Sequence, residues 1–346
     1  MSKIDAGAET WGLAHPEDGE SGSVTRTGQY FSRMQQIAIG IVGAGRTRQG
    51  LGPFLAKWFE RAGCRVAAVS GRDPDRTRAA AVAMAEQLGH PVAACADADE
   101  LARGVDAVVV ACPPEGHLDG LDAALRAGRA CLCEKPFVPA ADRDAGLRRV
   151  EAFRERGLLL AENCQWPFAL AAVEELHPEL LRRPPRRVTM RLSPAWPGAA
   201  MVEDSLSHVL SLVQALVPLP PDATVEDIAQ SDGSAHATDN TVRFRVVGGT
   251  DDVSVELLLK CCPEQPRPAW FAIDGMRFDR RISADYAIAF ATDDGRVANV
   301  QDPLDRLVYG FVTNLQATNR EPFRAIADVV HLRIRLYAAI VDALGR

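Results

Sequence analysis

The stretch Cys131-Leu132-Cys133-Glu134-Lys135-Pro136 sets an acid, a lysine and a proline where an apolar run stops. Proline lacks a backbone donor and biases the preceding residue toward extended geometry, so Lys135 belongs at the carboxyl edge of a strand. In an open parallel sheet, that edge is where ligands bind. Lysine is rare in this chain, occurring only at positions 3, 57, 135 and 260; the other 35 of the 39 basic residues are arginine. An ammonium at a strand tip offers a pKa that can be tuned for proton transfer, which a guanidinium does not. Asp204, His208 and Ser211 form a second constellation, at i, i+4 and i+7 of an apolar helical segment from Met201 to Val217. That spacing puts the three on one face. The face reads either as the solvated side of an amphipathic helix or as a carboxylate orienting an imidazole for proton transfer in a cleft. Periodicity alone leaves both open.

Upstream, an apolar strand from Ile37 to Val42 runs into Gly43-Ala44-Gly45-Arg46-Thr47-Arg48-Gln49-Gly50, and a helix follows from Phe54 to Ala62 behind Pro53. Strand, glycine turn and helix together read as a dinucleotide fingerprint: glycines let the backbone approach a pyrophosphate, and the helix N-terminus faces it. The usual G-x-G-x-x-G spacing would put its third glycine where Arg48 stands; here Gly50 comes late, so the loop is longer than standard. Gly43, Gly45, Arg46, Thr47, Arg48 and Gly50 are the expected phosphate contacts. The next strand, Arg65 to Ser70, ends in Ser70-Gly71-Arg72, where NAD-binding folds place an acid on the ribose. Serine and arginine can bond a 2′-phosphate that a carboxylate would repel, so NADP(H) is favoured and NAD(H) stays open. Asp73, one step further on, either turns in toward the ribose or caps a helix ahead of Pro74.

A length of 346 residues implies two domains. The net charge of −7 excludes duplex nucleic acid as a natural partner, since Arg182-Arg183 and Arg186-Arg187 form the one basic cluster. No apolar run reaches membrane-spanning length, and residues 1–35 lack the pattern of a signal peptide; they read as a tail or an arm over a neighbouring subunit. Eight cysteines without a C-x-x-C pair fit buried free thiols in a reducing cytoplasm, and no metal site is expected. Strands at Asp106–Ala111, Arg129–Cys133 and Gly157–Ala161 alternate with helices at Pro74–Leu88, His117–Ala127 and Ala141–Glu155, which argues a parallel sheet. Beyond Arg187 the strands Val188–Leu192, Thr241–Val246, Val253–Leu258 and Tyr286–Phe290 alternate apolar and polar positions, as in an antiparallel sheet. The expected architecture is therefore an α/β Rossmann domain over residues 36–160. An α+β domain with a large, mostly antiparallel open sheet follows over 161–346, with the C-terminal helix expected to pack back on the first domain.

Taken together, the glycine turn, Pro113-Pro114-Glu115-Gly116-His117, Glu134-Lys135-Pro136 and Asp204-x-x-x-His208 resemble the glucose–fructose oxidoreductase / inositol dehydrogenase (Gfo/Idh/MocA) family from about Gln36 to Arg346. The resemblance implies hydride transfer between a nicotinamide and a sugar, cyclitol or related alcohol or ketone. It implies that Lys135 holds the substrate oxygen, that His208 shuttles its proton and that Asp204 orients His208 or binds a hydroxyl. Glu134, Pro113 and His117 would line the nicotinamide end, and Gln165 and Trp166 would meet substrate. It further implies a homo-oligomer, dimer or tetramer. Where the family often has glycines before the aspartate, this chain has Ala199-Ala200-Met201, and Ser211 stands where an acid is common. These departures leave two alternatives: reduction of an imine or enone in a biosynthetic pathway, or a non-catalytic nucleotide-sensing regulator.

Overall fold

A computed structural model describes residues 36–45, 50–249 and 252–345. The expectations placed on residues 1–35 and on Arg46, Thr47 and Arg48 lie outside the described residues. Six strands form the first sheet: β1 (Ala38–Val42), β2 (Arg65–Ser70), β3 (Ala93–Ala94), β4 (Ala107–Val110), β5 (Ala130–Cys133) and β6 (Leu160–Glu162). Their order is β3-β2-β1-β4-β5-β6 and every pairing is parallel. The runs Ala-Val-Val-Val in β4 and Ala-Cys-Leu-Cys in β5 are buried at every position, as a sheet covered on both faces requires. The covering helices are α1 (Gly52–Arg61), α2 (Pro74–Leu88), α3 (Ala98–Arg103), α4 (His117–Ala127) and α5 (Arg143–Glu155). Asp73 is the cap of α2, its carboxylate accepting from the Asp75 and Arg76 N–H groups.

After a short helix, α6 (Leu170–Leu176), the second sheet begins. Its strands are β7 (Arg187–Leu192), β8 (Thr224–Gln230), β9 (Asp239–Val247), β10 (Val253–Lys260), β11 (Trp270–Ile273), β12 (Met276–Ile282), β13 (Ile288–Thr292) and β14 (Val297–Val300). They run in the order β14-β13-β12-β11-β7-β10-β9-β8, with β7–β10 the parallel pair and the other neighbours antiparallel. The long helix α7 (Ala199–Leu216) packs its apolar residues against one face of this sheet. Two C-terminal helices, α8 (Pro303–Gln316) and α9 (Glu321–Leu344), complete the chain. Leu307 and Phe311 of α8 pack into the core around β1, and α9 serves both cores: Val330 and Ile334 join the first, Leu336, Tyr337 and Ile340 the second. Among the described residues, no helix is long and apolar enough to cross a membrane.

Sequence periodicity located the central strands and missed the edges. Tyr286, expected to open a strand, instead has φ of +66° in a turn held by Ser283, and the strand starts at Ile288. Strands β8 and β12 (TVEDIAQ, MRFDRRI) carry too many charges to show an apolar alternation.

One ion pair ties the layers together. Arg333 of α9 and Glu162 at the end of β6 meet at 2.8 Å, each side chain 1% exposed. Removing one partner of such a pair strands a buried charge, so Arg333→Met should cost about 3–5 kcal/mol. Urea denaturation should show that loss, and Arg333→Met combined with Glu162→Gln should recover a large part of it.

Candidate active site

Chain direction brings three pieces to the gap between the sheets: the carboxyl edge of β5, the loop after β6 and the first half of α7. Pro136 ends β5, and the Lys135–Pro136 peptide is cis. The Lys135 ammonium donates to the Asp204 carboxylate at 2.6 Å and to the Asp204 carbonyl at 2.9 Å. Lys135 is 13% exposed, whereas Asp204, at the mouth, is 49% exposed. Burial works against the ammonium, but the Asp204 carboxylate and Glu134 outweigh it and hold the lysine pKa above its ordinary value. The same contact lowers the Asp204 carboxyl pKa despite burial. One helical turn on, burial and the Lys135 charge push the His208 imidazole down to about 3. Its Nδ1 is buried and has no hydrogen-bond partner. Lys135 and His208 are thus held in opposite states: a fixed cation and a neutral ring.

Glu134 sits behind Lys135. Burial raises its carboxyl to about 7, against the pull of Lys135 and of the Asn163 side-chain amide that donates to it. Asn163 was not among the sequence candidates, because nothing in Asn163-Cys164-Gln165 marks an amide that must face a buried acid. Trp166 and Gln165, expected at the substrate, divide. Gln165 is half-buried at the start of a 3₁₀ turn, and Trp166 is 5% exposed. The indole packs edge-on to His208 at 6.4 Å between centroids, with Phe271 and Phe290 at 6.3 and 6.4 Å. It fixes the imidazole by packing.

Across the crevice, the strand order reverses between β1 and β4, where open α/β sheets take their ligands. Gly43 has φ of +86°, and a Cβ there would lie 2.5 Å from the Cys112 backbone. A Cβ at Gly52 would lie 2.9 Å from the Ala44 Cα, so Gly52 is the glycine that lets α1 pack against the turn. The sequence reading gave the third place in the turn to Gly50. The Ser70 hydroxyl is buried without a partner, and the Arg72 side chain reaches across to Gly116, where a Cβ would meet its Nη2 at 3.1 Å. Gly71 lies between them, half-buried. A close-approach glycine turn, an unfilled hydroxyl and an arginine over the same edge fit a dinucleotide. Pro113 begins the 3₁₀ turn before α4. His117, expected to line the nicotinamide end, is fully buried; its ring nitrogens face the Cys112 carbonyl at 2.8 Å and the Phe137 carbonyl at 3.1 Å. Burial lowers its pKa, and it braces the wall from behind.

Residues 37–164 match the profile of the oxidoreductase family with an NAD-binding Rossmann fold, Gfo/Idh/MocA. An inositol 2-dehydrogenase from Streptomyces avermitilis is 30% identical over 241 residues, 65% of this chain and 66% of that one. Over residues 37–164 the chain carries the NAD-binding Rossmann fold of the Gfo/Idh/MocA family. It spans just under two thirds of that relative. Solved structures share the architecture. A UDP-N-acetylglucosamine 3-dehydrogenase from Acidithiobacillus ferrooxidans superposes with a TM-score of 0.63 at 20% identity, covering 90% of this chain and 100% of the other. A variant 3-ketoreductase from Actinomadura kijaniata, solved in complex with TDP-benzene and NADP, gives 0.62 at 19%, covering 89% and 96%. At these identities the likeness is one of fold.

The neutral state of His208 can be read from stability. An unfolded histidine takes up a proton near pH 6.5, while the folded ring resists down to about 3. The unfolded chain therefore binds more protons over that window, and stability falls as pH drops from 6.5 toward 3. His208→Gln should flatten this acid limb, and urea unfolding at a series of pH values will show whether the slope decreases.

Proposed function

We propose that the protein is an NADP(H)-dependent oxidoreductase interconverting a secondary alcohol and a ketone on a sugar or cyclitol. One observation carries the reading: a fixed Lys135 ammonium and a neutral His208 share one cleft beside the dinucleotide crevice. When bound, the nicotinamide would supply hydride exchange with the substrate carbon. Gly43, Gly45, Gly50 and the helix α1 N-terminus would face its phosphates, with Arg46, Thr47 and Arg48 from the same turn. Ser70 and Arg72 would hold the adenosine 2′-phosphate; the 3-ketoreductase of the same fold was solved with NADP.

Lys135 cannot serve as the base, because its partners keep it protonated. Its role is to hold the substrate oxygen and to stabilise the charge that develops there. His208, kept neutral, accepts the hydroxyl proton in the oxidative direction and returns it in the reductive one. Asp204 stabilises the imidazolium through its negative field from one turn away. Trp166 holds the ring in place, and Glu134 with Asn163 fixes the lysine main chain from behind. A cytoplasmic homo-oligomer acting on a small molecule completes the proposal.

Two measurements test it. Fluorescence titration should show NADPH binding about tenfold or more tighter than NADH, with the preference lost in Arg72→Ala. Preference for NADH would reject the 2′-phosphate assignment. Lys135→Met should lower kcat by about 10²–10³ while leaving NADPH affinity unchanged; an unaffected turnover would reject the mechanism.

A further inference from the structure

Arg280 lies on the apolar face of its strand. Along β12, Met276, Phe278, Arg280 and Ile282 alternate to the same side, and Phe278 on that side is fully buried, stacked on Phe271 at 5.1 Å. Arg280 stands opposite Phe290 in the ladder, and its guanidinium lies 5.4 Å from the Trp166 ring centroid. The same indole touches His208. One Nη donates to the Arg267 carbonyl at 3.0 Å, while the Nε–H is buried and has no acceptor. Among the described residues, no carboxylate forms an ion pair with Arg280, unlike Arg333, whose charge Glu162 neutralises. Burial and the neighbouring Arg267 lower its pKa, and its charge adds to the field that keeps His208 neutral.

A half-buried cation without a counter-charge is costly, and an anionic ligand would bring the missing charge. Arg280 forms a planar fork suited to two parallel bonds to anionic oxygens. We propose that the substrate carries an anionic oxygen group on the sugar or cyclitol itself, which Arg280 receives beside Trp166 while the reacting oxygen sits at Lys135 and His208. Trp166 touches both the guanidinium and the imidazole, so the two groups flank one indole. The proposal rests on the oxidoreductase reading. It adds a requirement that neutral cyclitols and hexoses do not meet, and it makes Arg280 a specificity-determining residue.

The test uses the full chain saturated with NADP⁺, after NADPH binding has been established separately. Absence of cofactor binding would reject the oxidoreductase reading and, with it, this proposal. With cofactor bound, matched probes are compared: hexuronates and aldonates for a carboxylate, hexose 6-phosphates for a phosphate, and the neutral parent sugars and myo-inositol. Turnover and thermal shift should favour one charged class at least tenfold in kcat/KM or apparent affinity. Which class responds identifies the anion, and Arg280→Gln should erase the advantage chiefly through KM. Arg280→Lys should retain part of it. Equal or better use of the neutral parents, or no response to any charged probe at 20 mM, would overturn the proposal. The ligand-free protein gives an independent readout: Arg280→Met removes an unpaired half-buried charge and should leave Tm unchanged or raised. A fall of several degrees would make the guanidinium structural and would also overturn it.

Discussion

The Glu162–Arg333 pair is the constraint on which the rest of the site depends. Glu162 ends β6, and its second oxygen accepts the Phe137 N–H, two residues after Lys135. Arg333 spends its Nε on Gln214 of α7, and Gln214 in turn donates to the Val329 carbonyl. A single ion pair therefore fixes three things at once: the turn that presents Lys135, the helix that carries Asp204 and His208, and the C-terminal helix that spans both cores. Such a pair gains little over an apolar replacement in stability, since desolvation consumes most of the attraction. Its value here is positional, because Glu162 holds the Phe137 N–H with one oxygen and Arg333 with the other, while the Arg333 Nε holds Gln214.

That frame continues into the cofactor crevice. The Phe137 carbonyl faces His117 Nδ1, His117 Nε2 faces the Cys112 carbonyl, and the Cys112 backbone is what a side chain at Gly43 would strike. From Gly43 to Phe137, the contacts run through backbone groups and the buried His117 ring. A neutral imidazole carries one N–H, so His117 can donate to only one of its two carbonyls while burial opposes the second proton.

Much of this was legible in the residues. Glu134-Lys135-Pro136 named the strand edge, the glycine turn named the crevice, and the spacing of Asp204 and His208 named the helix face. These signals are local: each depends on a proline, a glycine or a helical period. Arg280, Asn163, Glu162 and Arg333 escaped because their meaning is set by partners far away in the chain; Glu162 and Arg333 are separated by 171 positions. Trp166 could be read as core or as substrate platform from sequence, and only the positions of Phe271, Phe290 and His208 around it decide for packing. The glycine turn shows the same limit in miniature: Gly52 was not singled out in the sequence, and the approach of Ala44 is what marks it.

The pKa pattern follows from who is paired with whom. Lys135 and His208 experience similar burial, yet one is held charged and the other neutral. The difference is Asp204, which gives its hydrogen bond to the ammonium and leaves the imidazole only its more distant field. Once the lysine is charged, its own potential keeps the ring from protonating, so the two states enforce each other. A carboxylate bonded to His208 instead would make the imidazole a cation and the lysine the neutral base. The register of α7 against β5 therefore decides which residue is held charged and which neutral, before any ligand arrives.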